Sequence, residues 1–260
     1  DIHVVASDDG LNAAGGADNS STNGRPGQNK MESTTSGTSI INGGYMVINS
    51  NGDGIDSNGD LTITGGTILV NGPINGGNGA LDYDGDCNMS GGTLIAAGSL
   101  GMVQTPGNSS KLNTINVSLT SQEADTLIRV ESQSGEEVIT FAPSKNYSSV
   151  VICTPNIKSE ETYKVYVGGS STGEEKDGLY VGGTYTKGTE IGSCTISDVV
   201  TNVTEDGASS NNNRSDKPGR GGGGKDNMQE PPNKSIYTLK INNKEKLFWK
   251  IIKLRGIYFL

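Results

Sequence analysis

Two stretches of the chain superimpose without a gap, and that repeat restricts the fold more than any other feature. Residues 52–72, GDGIDSNGDLTITGGTILVNG, align with residues 78–98, NGALDYDGDCNMSGGTLIAAG, at an offset of 26. Asp56 falls on Asp82, Asp60 on Asp86, Gly66 on Gly92 and Thr67 on Thr93. A unit recurring at this period cannot bury its apolar face alone and must stack on its neighbours, as in solenoid proteins. A broken earlier copy extends the pattern. Asp9-Gly10-Leu11-Asn12 matches Asp53-Gly54-Ile55-Asp56, and Ile41-Asn42-Gly43-Gly44 matches Ile63-Thr64-Gly65-Gly66 at an offset of 22. The earlier copy carries an insertion over 17–38, rich in Ser, Thr, Asn and Gly, which reads as a loop. Residues 1–104 therefore hold roughly three coils.

Within each coil apolar and polar residues alternate with period two, the signature of strands. Stacked by the repeat, Ile2, Met46, Ile68 and Leu94 form one column, and Val4, Ile48, Val70 and Ala96 another. Leu61 over Cys87 and Ile63 over Met89 add two more. Such columns predict an all-β chain whose first part is a parallel β-helix, with corners at the glycine pairs 43–44, 65–66 and 91–92. Hydrophobic residues make up only 32% of the chain and its pI is near 4.7, a composition compatible with disorder. The columns kept in register over several copies argue against that reading for residues 1–104. Because the chain starts at Asp1 partway through a coil, it is expected to be processed or to be a fragment, with an open end prone to edge pairing.

Residues 105–204 lose the repeat but keep strand alternation at 114–119, 127–130 and 162–167. Turns are expected at 134–135, 143–146 and 168–169. This part is expected to finish and cap the stack. Tyr147, Tyr163, Tyr166, Tyr180 and Tyr185 are either strand packing or sugar-stacking surfaces, with packing the expectation for each. Cys87 reads as a core residue, while Cys153 and Cys194 are candidates for a pair. From 205 to 260 the composition is that of a linker and a basic, disordered tail. Its final run, 247–260, is amphipathic and offers a membrane or cell-wall contact, or no selected role.

Charge is divided between the ends. Residues 1–110 hold eleven Asp/Glu against two Lys/Arg, whereas 214–260 hold eleven Lys/Arg against four Asp/Glu. An acidic stack is a poor nucleic-acid binder, since that function needs a basic footprint. It is a natural cation binder instead. Neighbouring strands lie about 4.8 Å apart, and calcium takes six to eight oxygens at about 2.3–2.6 Å, so one ion spans two stacked carboxylates. Without it, the pair repels by about 1 kcal/mol in water and by several times more near a protein surface. The candidate ligands are Asp8, Asp9, Asn12, Asp53, Asp56, Asp60, Asp82, Asp84 and Asp86, and the cofactor is Ca2+. The alternative is a solvated acidic face. The calcium-binding nonapeptide roll is excluded because it needs tandem nine-residue copies.

The runs Ala6-Ser7-Asp8-Asp9-Gly10-Leu11-Asn12-Ala13, Asn51-Gly52-Asp53-Gly54-Ile55-Asp56-Ser57-Asn58-Gly59 and Thr64-Gly65-Gly66-Thr67 resemble a family of bacterial secreted or surface carbohydrate-binding proteins. The resemblance covers residues 1–204, including Ile139–Tyr147 and Tyr163–Tyr166. It implies a right-handed parallel β-helix similar to polysaccharide lyases, calcium binding, an extracellular or cell-surface location, and a polysaccharide partner such as cellulose or polygalacturonate. The expected function is binding without turnover. Two alternatives stand beside it, a calcium-dependent polysaccharide lyase and a structural adhesin. A lyase needs a Lys or Arg base, and before residue 111 only Arg25 and Lys30 are available, both inside the insertion. His3 is the sole histidine, which leaves no Ser/His/Asp arrangement unless His3 itself served.

Overall fold

A computed structural model of the chain describes residues 1–13, 37–205, 236–239 and 258–259. Every regular element among them is a β-strand. The first sequence unit supplies β1 (Ile2–Ala6), β2 (Leu11–Ala13) and β3 (Thr38–Ile41). The second supplies β4 (Tyr45–Ser50), β5 (Ile55–Ser57) and β6 (Leu61–Ile63). The third supplies β7 (Thr67–Asn71), β8 (Leu81–Tyr83) and β9 (Cys87–Met89), and β10 (Thr93–Gly98) follows. Equivalent strands of successive units pair in parallel, giving the ladders β1-β4-β7-β10, β2-β5-β8 and β3-β6-β9.

The register is the one the repeat requires. Ile2 pairs with Met46, Met46 with Ile68, and Ile68 with Leu94, while Val4, Ile48, Val70 and Ala96 run alongside. Met46, Ile48, Ile55, Leu61, Ile63, Leu81, Cys87, Met89 and Leu94 are buried together in one core. The corner glycines are obligatory. Gly44, Gly66 and Gly92 take φ of 93°, 94° and 83°, a region that side chains with a Cβ rarely enter. A Cβ on Gly66 would also lie 2.7 Å from the Gly44 carbonyl oxygen. The insertion expected at 17–38 lies outside the described residues apart from its last two positions, with Thr38 already in β3.

The second half comprises β11 (Thr114–Gln122), β12 (Ile128–Ser132), β13 (Glu137–Phe141), β14 (Tyr147–Cys153), β15 (Thr162–Ser171), β16 (Glu174–Lys176), β17 (Leu179–Val181), β18 (Tyr185–Thr195) and β19 (Val200–Thr204). Strand β14 runs antiparallel to both β10 and β11, which ends the parallel run. A six-stranded antiparallel sheet, β16-β17-β13-β12-β15-β18, builds a second core. There Ile128, Val130, Phe141, Tyr163 and Val165 meet Leu69 and Ile95, residues of the repeat that alternate with the inner columns. Strands β7 and β10 are thus buried on both faces. That is why Ile68-Leu69-Val70 and Leu94-Ile95-Ala96 are continuous apolar runs rather than alternating ones. These residues cover a flank of the stacked units, not only an end.

Three expectations change. Gly168 and Gly169 do not end a strand; they lie inside β15 with φ of 77° and 78°, bending it. Cys153 sits in the inner core and Cys194 in the outer one, on different faces, and both are free thiols. In the segment expected to be a disordered tail, two pieces are strands. Strand β20 (Ile236–Leu239) pairs in parallel with β3, and β21 (Tyr258–Phe259) pairs antiparallel with β1. The rest of 206–260, including most of the amphipathic run, lies outside the described residues. Among those described, no helix is long and apolar enough to cross a membrane.

Candidate metal centre

The middle ladder places Asn12, Asp56 and Asp82 in one register column, Asn12 against Asp56 and Asp56 against Asp82. The turns entering it carry Asp8, Asp9 and Asp53, and Asp84 follows on the exit side. Burial, the largest influence, raises the Asp53 carboxyl to about 6; the Gly79 N–H opposes it, and Asp82, Asp9 and Asp8 add to it. Burial likewise raises Asp56 to about 7, with Asp9, Asp82, Asp53 and Asp84 contributing. Seven of the nine expected ligands, Asn12 among them, therefore gather at one corner. Asp60 and Asp86 sit at another turn, bonded to each other's coil.

Several of these aspartates have a task that the sequence did not disclose. Asp9 Oδ1 accepts the Asp53 backbone N–H at 2.9 Å, and its Oδ2 accepts the Asn12 amide at 2.8 Å. Asp53 Oδ1 accepts the Gly79 N–H at 2.6 Å, and Asp60 Oδ1 accepts the Asp86 N–H at 3.0 Å. Each carboxylate thus reaches into the next repeat unit and satisfies a backbone donor at a turn, where the strand ladder has lapsed. The glycine before two of the receiving positions follows from this arrangement. A Cβ on Gly52 would run into the Asp9 carboxylate and lie 2.8 Å from the Asp8 carbonyl carbon. A Cβ on Gly85 would meet the Asp60 carboxylate and stand 3.0 Å from the Gly59 carbonyl carbon. The Gly-Asp dipeptides at 52–53 and 85–86 are thus the signal that could have revealed these rungs.

Among the described residues no three His, Cys, Asp or Glu side chains form a group that holds a metal ion by themselves. The donor chemistry nevertheless suits a hard cation. Asp56 and Asp82 are adjacent in-register carboxylates, Asn12 supplies an amide, and the glycine-rich turns supply carbonyls. Two carboxyls raised toward neutrality by burial and like charge are groups whose ionised form a divalent cation would stabilise. Asp9 and Asp53 each already hold a backbone donor, so an ion at this corner would draw mainly on Asp56 and Asp82.

The fold also brings a base to this region from the second half of the chain. Lys145, between β13 and β14, donates its Nζ to the Ser50 carbonyl at 2.5 Å and to Asn51 Oδ1 at 3.3 Å. Ser50 and Asn51 lead directly into the Gly52-Asp53 turn. Burial lowers the Lys145 ammonium below its usual value. Nothing in the local sequence links Lys145 to the aspartates; only the turn 142–146 lying against β4 does so.

A second polar cluster also went unread. Arg129, Glu131 and Thr140 are buried on the outer face of the antiparallel sheet. Arg129 contacts Glu131 at 3.3 Å and Glu137 at 3.6 Å, and Lys187 contacts Glu131 at 2.6 Å. Burial alone would raise Glu131, but the hydrogen bonds and charges of Lys187 and Arg129 outweigh it and hold the carboxyl below its usual value. Tyr166 is part of this network and donates to Glu190 at 3.0 Å, and Tyr147 and Tyr163 are buried in the outer core. These three tyrosines pack rather than present a face to solvent; Tyr180 and Tyr185 are half-buried. No protein-family model, no curated protein and no solved structure matches the chain.

Proposed function

We propose that this chain is a calcium-binding, non-catalytic carbohydrate-binding protein built on a right-handed parallel β-helix, working outside the cell or on its surface. Its ligand would be a plant cell-wall polysaccharide, cellulose or an acidic glycan such as polygalacturonate. The observation that carries the reading is the corner shared by Asp8, Asp9, Asp53, Asp56, Asp82 and Asp84, where burial first and neighbouring carboxylates second raise Asp53 and Asp56. A calcium ion there would neutralise the crowding and hold successive coils together. Oxygens of a uronate could complete the ion's shell, which would let an acidic protein grip an acidic polymer.

The test is co-sedimentation of the full chain with cellulose and with calcium-pectate gel, in calcium and in EDTA. Calcium-dependent retention without release of unsaturated uronides supports the reading, and absence of retention on both matrices removes it. Lys145 favours one alternative, the calcium-dependent lyase, because a lysine with a lowered pKa beside an acidic turn is the kind of base that abstracts a sugar C5 proton. Release of uronides that is lost in Lys145→Ala would move the assignment there.

A further inference from the structure

A sheet ends in a row of unpaired N–H and C=O groups that will accept any compatible strand. Among the described residues the outermost strands of the repeat are β1, β2 and β3, and two of them are paired with strands from the chain's own C-terminal segment. Strand β20 continues the third ladder in parallel, with Ile236, Tyr237, Thr238 and Leu239 opposite Thr38, Ser39, Ile40 and Ile41. Leu239 therefore takes the register position above Ile41, Ile63 and Met89, and Thr238 the one above Ile40, Thr62 and Asn88. The segment reads as one more rung of the repeat. Strand β21 closes the first ladder from the other direction, pairing Tyr258 with Val5 and Phe259 with Val4. Among the described residues β2 keeps an open outer edge.

Charge favours the same contact. Residues 234–260 carry seven Lys/Arg and one Glu, while residues 1–110 carry eleven Asp/Glu and two Lys/Arg. A basic segment is drawn to an acidic stack over roughly 10 Å at 0.1 M salt, and over roughly 3 Å at 1 M.

We propose that β20 (Ile236–Leu239) and β21 (Tyr258–Phe259) are an intramolecular edge cap, two donated strands held on the outer edges of β3 and β1 by backbone pairing and favoured by the opposite charge of the surrounding sequence, which keep those edges from pairing with a second copy of the chain. This role is independent of calcium or glycan binding.

The test uses the full chain carrying Ile40→Cys and Thr238→Cys and a short bis-maleimide. Cys87, Cys153 and Cys194 are buried and do not compete. The expected product is a monomer with a 40–238 link, formed several-fold less at 1 M than at 50 mM NaCl; Asn88→Cys with Thr238→Cys, three strands apart, should give none. No 40–238 link, or a link only between two chains, overturns the proposal. The capping role is read separately from Leu239→Pro: Ser39 and Ile41 bond to β6, so Ile40 faces β20 and the Leu239 N–H is the donor that proline removes. Sedimentation should then show concentration-dependent dimers, and a variant that stays monomeric while keeping its circular dichroism would refute the cap.

Discussion

Asp56 sits where burial and four neighbouring carboxylates act in the same direction, and the sign of the resulting pH effect follows from that. Its folded pKa, about 7, lies above the ordinary carboxyl value near 3.8. The native state therefore binds a proton more tightly than the unfolded chain. The stabilisation is fully present below about pH 4 and is lost as pH rises through 7. Asp53, raised to about 6, adds to the same trend. In EDTA, the difference in melting temperature between wild type and Asp56→Asn should change across pH 4.5 to 7.5, with the variant gaining toward the alkaline end. Calcium should raise the wild-type melting temperature at pH 7.5 and have little effect at pH 5, where protons compete. An Asp56→Asn protein with an unchanged calcium isotherm would remove this corner as the metal site. Gly52 gives a plain steric test. Gly52→Ala should cost about 1–3 kcal/mol in urea unfolding, because the backbone of Asp8 and Asp9 stands in the way of a Cβ.

At the scale of elements, the edge of the antiparallel sheet is tied down by Lys187, which reaches from β18 across β15 to Glu131 on β12, and by Tyr166 of β15 on Glu190 of β18. Lys187→Ala leaves Glu131, which is 3% exposed, with Arg129 alone. Glu131 has its folded pKa lowered, so its contribution is present at neutral pH and lost as pH falls below the usual glutamate range. The variant should therefore lose stability at pH 7, and the loss should shrink toward pH 3; a uniform loss would point to packing instead. The parallel ladders were legible because the repeat fixes register residue by residue, from Ile2 to Leu94 and from Asn12 to Asp82. The antiparallel sheet was legible only as separate strands. Its pairings join residues such as Arg129 and Tyr166, and no local pattern announces partners so far apart. The candidate site was half legible: the column of Asn12, Asp56 and Asp82 could be read, while the Asp9, Asp53 and Asp60 rungs depend on turn geometry and Lys145 on a distant loop.

For the whole molecule, the shared sheet decides how separable the halves are. Strands β7 and β10 carry one core on each face, so residues 1–104 alone would expose Leu69 and Ile95, both fully buried in the intact chain. A protein ending at residue 104 should bind a hydrophobic dye and self-associate, and the intact chain should melt in one calorimetric transition rather than two. Two resolved transitions would show that the cores are independent.

That same sheet sets a timing problem during synthesis. Leu69 and Ile95 leave the ribosome well before the strands that will shelter them, since Phe141 and Val165 follow Ile95 by about 46 and 70 residues. At about 5–20 residues per second, this apolar flank stays uncovered for several seconds in every nascent chain. The growing polypeptide passes through an interval in which its most adhesive surface is on the outside, and that interval, more than the finished protein, is where a chaperone would matter.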